Sequence, residues 1–422
     1  MLKIKHAKNG ISIEKESKFS SITRKIKKFF KNIFSKNGNK FSYKETILLM
    51  IISFFFGAII VGILTGNKTY SGYSKSFDEF LDTYQDIIEN YYQEVDNDKL
   101  IENGIKGMIS YLGDPYSTYM NTTDAEDFNT TVEGTYQGIG CEVMMNTDGS
   151  VTIGEVFEGG AKDAGLKTGD TIIKINGEYI TGLTLDELVS QVKGKAGTTV
   201  KITYKRNDTE KTVKVTRKVI EMTSVESKII EQNGKNIGYI SVSSFSSNTG
   251  TQFKNNLEDI EKKEIDSLII DLRGNSGGYL TVCTDMISMF TKKNTIIYQL
   301  STKGKIEKAK DKTSEHRDYP IVILVNSASA SASEVFTAAL QQNYGATVIG
   351  TTTYGKGKVQ KAYSLQSGAV VKYTFQEWLT PKGYSIDGVG ITPDIVINYI
   401  SSESQDEYDN QLQKAISIIK EK

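Results

Sequence analysis

The sequence predicts a multidomain α+β chain, and three observations along it carry that prediction. Residues 46–65 (TILLMIISFFFGAIIVGILT) run without a charge for 20 positions, about one bilayer crossing. From about 135 to 217, short β-branched runs punctuated by glycine predict a small β-rich domain. From about 219 onward strand and helix patterns alternate, which predicts an α/β core around a substantially parallel sheet. At 422 residues the chain is long enough for two to three domains, and 38% hydrophobic residues supply real cores, which excludes a wholly disordered protein.

The formal net charge of zero, 51 basic residues against 51 acidic ones, conceals a division. Residues 1–44 carry 13 Lys/Arg against Glu14 and Glu16, a surplus of 11 positives, so the remainder carries an equal negative excess. A basic segment before an apolar run stays on the cytoplasmic side. The expectation is a basic cytoplasmic tail (1–44), a transmembrane anchor (45–66) and everything later outside: a single-pass protein of the cell membrane with its N-terminus cytoplasmic. Ser53, Gly57 and Gly62 mark no polar face, as a core helix would show. The basic segment is long for a signal-peptide n-region and no small-x-small cleavage site follows, so the anchor is expected to remain uncleaved. The basic excess is read as a topology signal, and no nucleic-acid partner is expected.

After the anchor, Ser76 and Glu79 form a capping-box pattern ahead of Phe77, Phe80, Leu81, Tyr84, Ile87, Ile88 and Tyr91 at helical spacing. A second helix takes Leu100, Ile101, Ile105, Met108, Ile109 and Leu112 to one face and stops at Gly113 and Asp114-Pro115. These form a linker and helical module over 67–130, whose aromatic stripe is read as core or dimer contact. The β-rich domain, 131–218, contains one amphipathic helix with Leu185, Leu188, Val189 and Val192 on its apolar side. Its loop Gly138-Ile139-Gly140-Cys141 can turn main-chain N–H groups into one concavity, a nest suited to a carboxylate. In the α/β core, 219–400, the pattern gives strands at 237–242, 267–272 and 321–325 and helices at 249–262, 279–290 and 332–343. Short strands follow up to 375. Leu412, Ala415, Ile416 and Ile419 predict a terminal helix within 401–422 that docks or mediates assembly.

Chemistry is expected where strands turn into helices. The turn 271–278 (DLRGNSGG) follows a buried strand, and its paired glycines expose donors able to stabilise an anion. The block 326–334 (NSASASASE) opens a helix with small alternating residues; Ser331-x-x-Glu334 is itself a capping box, but one cap does not account for four serines. The loop 350–360 (GTTTYGKGKVQ) begins like a P-loop, yet Gly357 stands where the Mg²⁺-binding Ser/Thr belongs and a strand follows where a helix should start. Of two histidines, His6 lies in the tail and His316 in a charged stretch, so a Ser-His-Asp arrangement is poorly served and a three-His metal site is excluded. Cys141 and Cys283, far apart, exclude a disulfide framework and any CxxC site. No metal and no cofactor is expected. A lysine held between glycines, with its pKa lowered by burial, can serve as a general base without any histidine.

Two resemblances sharpen this reading. Ala161-x-x-Ala-Gly-Leu-Lys-x-Gly-Asp170, followed by Ile172-Ile173-x-Ile175-Asn176-Gly177 and a helix, resembles the PDZ domain, with Thr168 where that family usually has Pro. It implies capture of an extended peptide by strand addition, with the peptide's C-terminal carboxylate in the loop of Gly138, Ile139, Gly140 and Cys141. The segments SASASE (329–334), Tyr354-Gly355-Lys356-Gly357-x-Val359-Gln360, Leu379-Thr-Pro381-x-Gly383, Gly390-Ile391-x-Pro393-Asp394 and Asp114-Pro115-Tyr116-Ser117 together resemble the carboxy-terminal processing proteases, PDZ-containing Ser-Lys endopeptidases of peptidase family S41. That resemblance implies a ClpP/crotonase-like α/β protease core in which Ser331 is the nucleophile, Lys356 the general base and Gln360 the residue orienting it. The oxyanion hole is implied at the main-chain N–H groups of Ala332 and of Gly277 or Gly278. It further implies protein or peptide substrates, gating by the PDZ domain and a homodimer. The competing class is a PDZ-based peptide-binding or scaffolding protein without proteolysis.

Overall fold

The computed structural model describes residues 75–400 and 409–421, with 2–7, 10–15 and positions 24, 27, 28 and 53. The expected membrane span lies, Ser53 apart, outside the described residues, and so does most of the basic tail. Among the described residues no helix is long and apolar enough to cross a membrane. The chain divides at Asn97 into two units, each taken by itself.

In the first unit, β1 (Leu2–Ala7) and β2 (Gly10–Lys15) pair antiparallel. Helix α1 (Lys75–Asn90) follows the expected stripe, but none of its residues is buried.

The second unit begins at the start of α2 (Asn97–Tyr111). The Asp114 turn leads into β3 (Thr118–Met120) and α3 (Thr122–Glu133), neither of which the apolar pattern suggested. Helix α3 owes its start to Asn121, whose Oδ1 accepts from the Asp124 N–H at 3.0 Å, and its stop to Gly134 in the left-handed region.

In the β-rich domain, β4 (Thr135–Gly138) pairs with β11 (Lys218–Glu221). The main sheet joins β5 (Cys141–Met145), β6 (Val151–Val156), β7 (Thr171–Ile175), β9 (Thr199–Arg206) and β10 (Thr209–Thr216), with β8 (Glu178–Tyr179) on β7. Short α4 (Gly160–Asp163) and α5 (Leu185–Val192) complete it, α5 opening on a Thr184/Glu187 capping box. Ile153, Ile172, Leu188 and Ile202 fill its core. Asp170, buried, accepts two hydrogen bonds of 2.6 Å from the Arg206 guanidinium, so the carboxylate is paired bidentately. Strand β5 is an edge of the sheet, with its outer side available for strand addition.

The α/β core has the expected parallel sheet. Its order is β12 (Val225–Gln232), β13 (Lys235–Val242), β14 (Ser267–Asp271), β17 (Ile321–Val325), β18 (Thr347–Gly350), β21 (Ile395–Val396), parallel from β13 onward. Strands β14 and β17 are buried at every position, as strands covered on both faces must be, with Leu268–Ile270 and Ile321–Val325 supplying the apolar runs. One face carries α6 (Thr249–Glu261), α7 (Leu280–Ser288) and α8 (Ala332–Ala339), where Phe253, Phe290 and Phe336 meet edge to face. The other is closed by α9 (Asn410–Glu421), whose Ala415, Ile416 and Ile419 pack on Ile269, Val322 and Leu324; the terminal helix docks, as expected. The expected helix over 332–343 ends its α-helical part at Ala339 and continues as a π-turn, Leu340–Tyr344.

A second sheet flanks this core: β16 (Lys305–Lys310), β15 (Ile296–Thr302), β20 (Val370–Leu379) and β19 (Lys358–Ser364), with β3 on the far side of β20. Met120 opposite Val370 and Thr118 opposite Lys372 thus bring the segment after Asp114 to the sheet that flanks the α/β core.

Candidate active site

Ser331 stands at the start of α8 with φ 56° and ψ −116°. A non-glycine residue rarely holds such a backbone, and strain of this kind marks sharp strand-to-helix turns that present a nucleophile. The neighbouring serines hold the turn in place. Ser329 Oγ donates to Leu272 O and Ser333 Oγ to Asn275 O, both at 2.8 Å, so the serine block is stitched to the 271–278 turn. This gives Ser329 and Ser333 structural duties and leaves Ser331 at the cleft.

The 271–278 turn reaches the same point from β14. A Cβ on Gly277 would sit 2.8 Å from both Ala330 O and Ser331 Cβ; one on Gly278 would sit 2.3 Å from Phe245 O. Both residues have positive φ and only glycine fits. Their donors differ. The Gly277 N–H donates to Asn275 Oδ1 at 2.9 Å, whereas the N–H groups of Gly278 and Ala332 meet no acceptor among the described residues.

The third loop brings Lys356. Its side chain is largely withdrawn from water, and burial pushes its pKa below the ordinary 10.5; the positive charge of Lys372 acts the same way, against opposing effects of Asp114 and Glu334. Lys356 Nζ lies 5.1 Å from the centre of the Tyr116 ring. Tyr116 is placed by the Asp114 turn, where Ser117 Oγ donates to Asp114 and accepts from the Thr374 N–H of β20 at 3.1 Å. Trp378 Nε1 donates to Lys356 O at 2.9 Å and fixes the loop from below.

A residue read from sequence only as a cap joins the pieces. Glu334, fully buried, accepts four hydrogen bonds: at Oε2 from the N–H groups of Ser331 (2.8 Å) and Lys356 (2.9 Å), and at Oε1 from Thr353 Oγ1 (2.6 Å) and the Gly355 N–H (2.7 Å). The capping-box spacing gave its position; what it clamps depends on a loop 20 residues away in sequence, about which that spacing is silent.

Ser331, Ala332, Gly277, Gly278, Lys356 and Gln360 line one cleft of about 490 Å³. Ser331 Oγ and Lys356 Nζ are not hydrogen-bonded to each other. Gln360 does not reach Lys356 either: the ladder shifts register between Val359 and Gln360, and the Gln360 amide donates to Lys358 O (3.0 Å) and Thr374 Oγ1 (3.4 Å). Lys358, two residues on, is held by Asp387 at 3.1 Å. His316 is exposed, beside Asp318, and does not line the cleft. In the β-rich domain Ile139 O accepts from Ala161 and Gly140 O from Phe157. The N–H groups of Ile139 and Gly140 meet no acceptor among the described residues. Burial pushes the Cys141 thiol up to about 12, so it is an inert neighbour of that loop.

Family models match in the same order as these parts: an activating protease CtpB N-terminal domain over 62–124, a PDZ domain over 129–205 and peptidase family S41 over 236–397. A probable CtpA-like serine protease of Staphylococcus aureus (strain COL) is 36% identical over 347 residues, covering 80% of this chain and 69% of the relative. A protein of the same description from Staphylococcus epidermidis (strain ATCC 12228 / FDA PCI 1200) is 38% identical over 320 residues, covering 75% of this chain and 64% of its own. Among solved structures, the photosystem II D1 C-terminal processing protease aligns over 76% of this chain and 92% of its own, with 23% identity and a TM-score of 0.45. On the identity and coverage of the staphylococcal relatives, the chain belongs to peptidase family S41, as a serine protease of the C-terminal processing type that carries a PDZ domain.

Proposed function

We propose that this chain is a membrane-anchored, extracytoplasmic endopeptidase that captures protein substrates by their C-terminal or extended segments in the PDZ domain and cleaves them with Ser331 and Lys356. The observation that carries the catalytic part is a serine at φ 56° sharing a cleft with a desolvated lysine. Neutral Lys356 takes the Oγ proton as Oγ attacks the scissile carbonyl, and the oxyanion forms against the N–H groups of Gly278 and Ala332. Collapse expels the amine, which takes the proton back from Lys356, and water activated by the same lysine hydrolyses the acyl-enzyme. For the first step Lys356 has to swing from the Tyr116 ring toward Oγ, a tightening common on substrate binding. Gln360 lines the same cleft.

Support for capture comes from the open edge of β5 beside the loop of Gly138–Cys141, with its unused N–H groups. Anchoring and orientation rest on the uncharged residues 46–65 behind a basic segment. The homodimer implied by resemblance stays with this reading.

Incubating the full-length chain in detergent with an unstructured protein tests the chemistry: Ser331→Ala and Lys356→Ala are to abolish degradation while keeping the fold, and undiminished cleavage by either would sink the dyad. Gly140→Val, at φ 80° with Ile220 Cδ1 only 3.0 Å from a Cβ there, tests capture through the preference for a free substrate C-terminus. Protease added to intact cells is to reach residues beyond 75; protection of that region would reverse the orientation.

A further inference from the structure

Three lysines line the catalytic cleft, Lys356, Lys358 and Lys372, and among its described lining residues there is no Asp or Glu. Their situations differ. Lys356 is the base and is uncharged when it acts. Lys358 is neutralised by Asp387 at 3.1 Å. Lys372 is left. It stands on β20 between Ala362 of β19 and Thr118 of β3, and among the described residues no carboxylate lies within ion-pair distance of it. Its Nζ is 5.3 Å from the centre of the Phe128 ring, on the helix that follows β3. An aromatic face stabilises a cation without supplying a counter-charge.

We propose that Lys372 is a carboxylate-binding subsite of the cleft, taking an acidic side chain or the α-carboxylate of the substrate segment that lies across β19. The proposal rests on the proteolytic reading of the cleft and adds a substrate preference to it. A half-buried ammonium with no partner is costly, and burial accordingly lowers the pKa of Lys372. A carboxylate entering with the substrate offsets that cost. Phe128 then acts as a wall: it holds the ammonium on its face and narrows the choice of position along the peptide. This subsite is separate from the carboxylate nest of the PDZ loop, which lies on a different sheet. A substrate tail would meet one cation at the point of cleavage whatever the PDZ domain holds.

The test compares kcat/KM of the full-length chain on a peptide series. One peptide carries Glu scanned through the positions flanking the scissile bond, a second has Gln in the same places, and a third is the Gln series with an amidated C-terminus. Wild type is expected to prefer Glu over Gln at one position, or a free over an amidated terminus. Lys372→Met should reduce that preference by roughly 10- to 100-fold, the scale of a lost charge-assisted hydrogen bond, and Lys372→Arg should restore much of it. Loss confined to the Glu/Gln ratio assigns the subsite to an acidic side chain; loss confined to the free/amidated ratio assigns it to the terminus. Unchanged ratios in Lys372→Met overturn the proposal, whatever happens to the overall rate. Affinity of the same peptides for Ser331→Ala with and without Lys372→Met supplies a readout independent of turnover, and equal affinities there overturn it as well. If wild type cleaves no peptide but still binds the acidic ones through Lys372, the proteolytic reading fails and the subsite stands.

Discussion

Ser331 and Lys356 are joined through one oxygen atom: the main-chain N–H of each donates to Glu334 Oε2, at 2.8 and 2.9 Å. The proposed nucleophile and base therefore share a buried acceptor, and their main chains are tied together by a carboxylate that is bonded to neither Oγ nor Nζ. Glu334→Gln preserves shape but turns one arm of the fork into a donor facing donors. Leaving buried N–H groups unpaired costs about 1–3 kcal/mol each, so a loss of stability on the order of 2–4 kcal/mol is expected, measured by denaturant unfolding. Peptidase kcat should fall by on the order of a hundredfold, since small displacements at a catalytic pair are expensive. A kcat close to wild type would show that the clamp does not set the alignment.

The backbone of Ser331 gives a prediction of opposite sign. At φ 56° the side chain costs of the order of 1–2 kcal/mol relative to glycine. Ser331→Ala removes the hydroxyl and keeps the strain, whereas Ser331→Gly removes both. Both variants are to be inactive, and the glycine variant is to unfold at higher denaturant, by roughly 1 kcal/mol. Equal stability of the two would mean that the turn bears no strain at this residue.

Much of the fold was legible because its signals are local. The apolar centre of β14, Leu268–Ile270, and the all-apolar β17 announce a covered parallel sheet, and the helix expected from Leu185, Leu188, Val189 and Val192 runs over Leu185–Val192. The chemistry was legible as three separate turns. What sequence could not show is how they close on one another. Glu334 read as a cap because its spacing to Ser331 is a capping box, while its bonds to Thr353, Gly355 and Lys356 are tertiary. Helix α3 escaped because its face is thin: Ala125 is its only buried residue. The Gln360 amide is bonded to Lys358 O and Thr374 Oγ1, partners that depend on how β19 pairs with β20 and not on the order of residues. The membrane span rests on sequence alone, since it falls outside the described residues.

The pH dependence follows from Lys356. In the proposed mechanism Lys356 has to be neutral, and burial together with Lys372 lowers its pKa below 10.5. Activity should therefore rise with pH along a limb that lies below that of a free lysine. Lys372→Met removes one of the two lowering causes and is expected to move this limb to higher pH, with Asp114 and Glu334, which oppose the shift, left in place. Stability carries the same sign. Between the folded and unfolded pKa values the unfolded chain binds more protons, so stability increases as pH rises through that window. Lys356→Met, which removes the desolvated charge, should accordingly be more stable than wild type at neutral pH and lose this dependence. A pH–rate profile unaltered in Lys372→Met would separate the two lysines electrostatically.

The two glycines of the 271–278 turn make the last prediction. Gly277 N–H is already donated to Asn275 Oδ1 at 2.9 Å, whereas Gly278 and Ala332 line the cleft with N–H groups that meet no acceptor among the described residues. Asn275 is fully buried, and its Nδ2 donates to Val242 O at 2.8 Å, so this one amide holds the turn from both sides. Asn275→Ala strands both partners and should cost about 2–4 kcal/mol in stability. Gly278→Ala, at φ 146° with its Cβ 2.3 Å from Phe245 O, has to displace backbone. It is expected to lower kcat by on the order of 10²–10³, the effect of losing one oxyanion donor, while KM changes little. Should Gly278→Ala raise KM and spare kcat, the N–H of Gly278 binds substrate in the ground state, and Ala332 is left as the donor for the transition state.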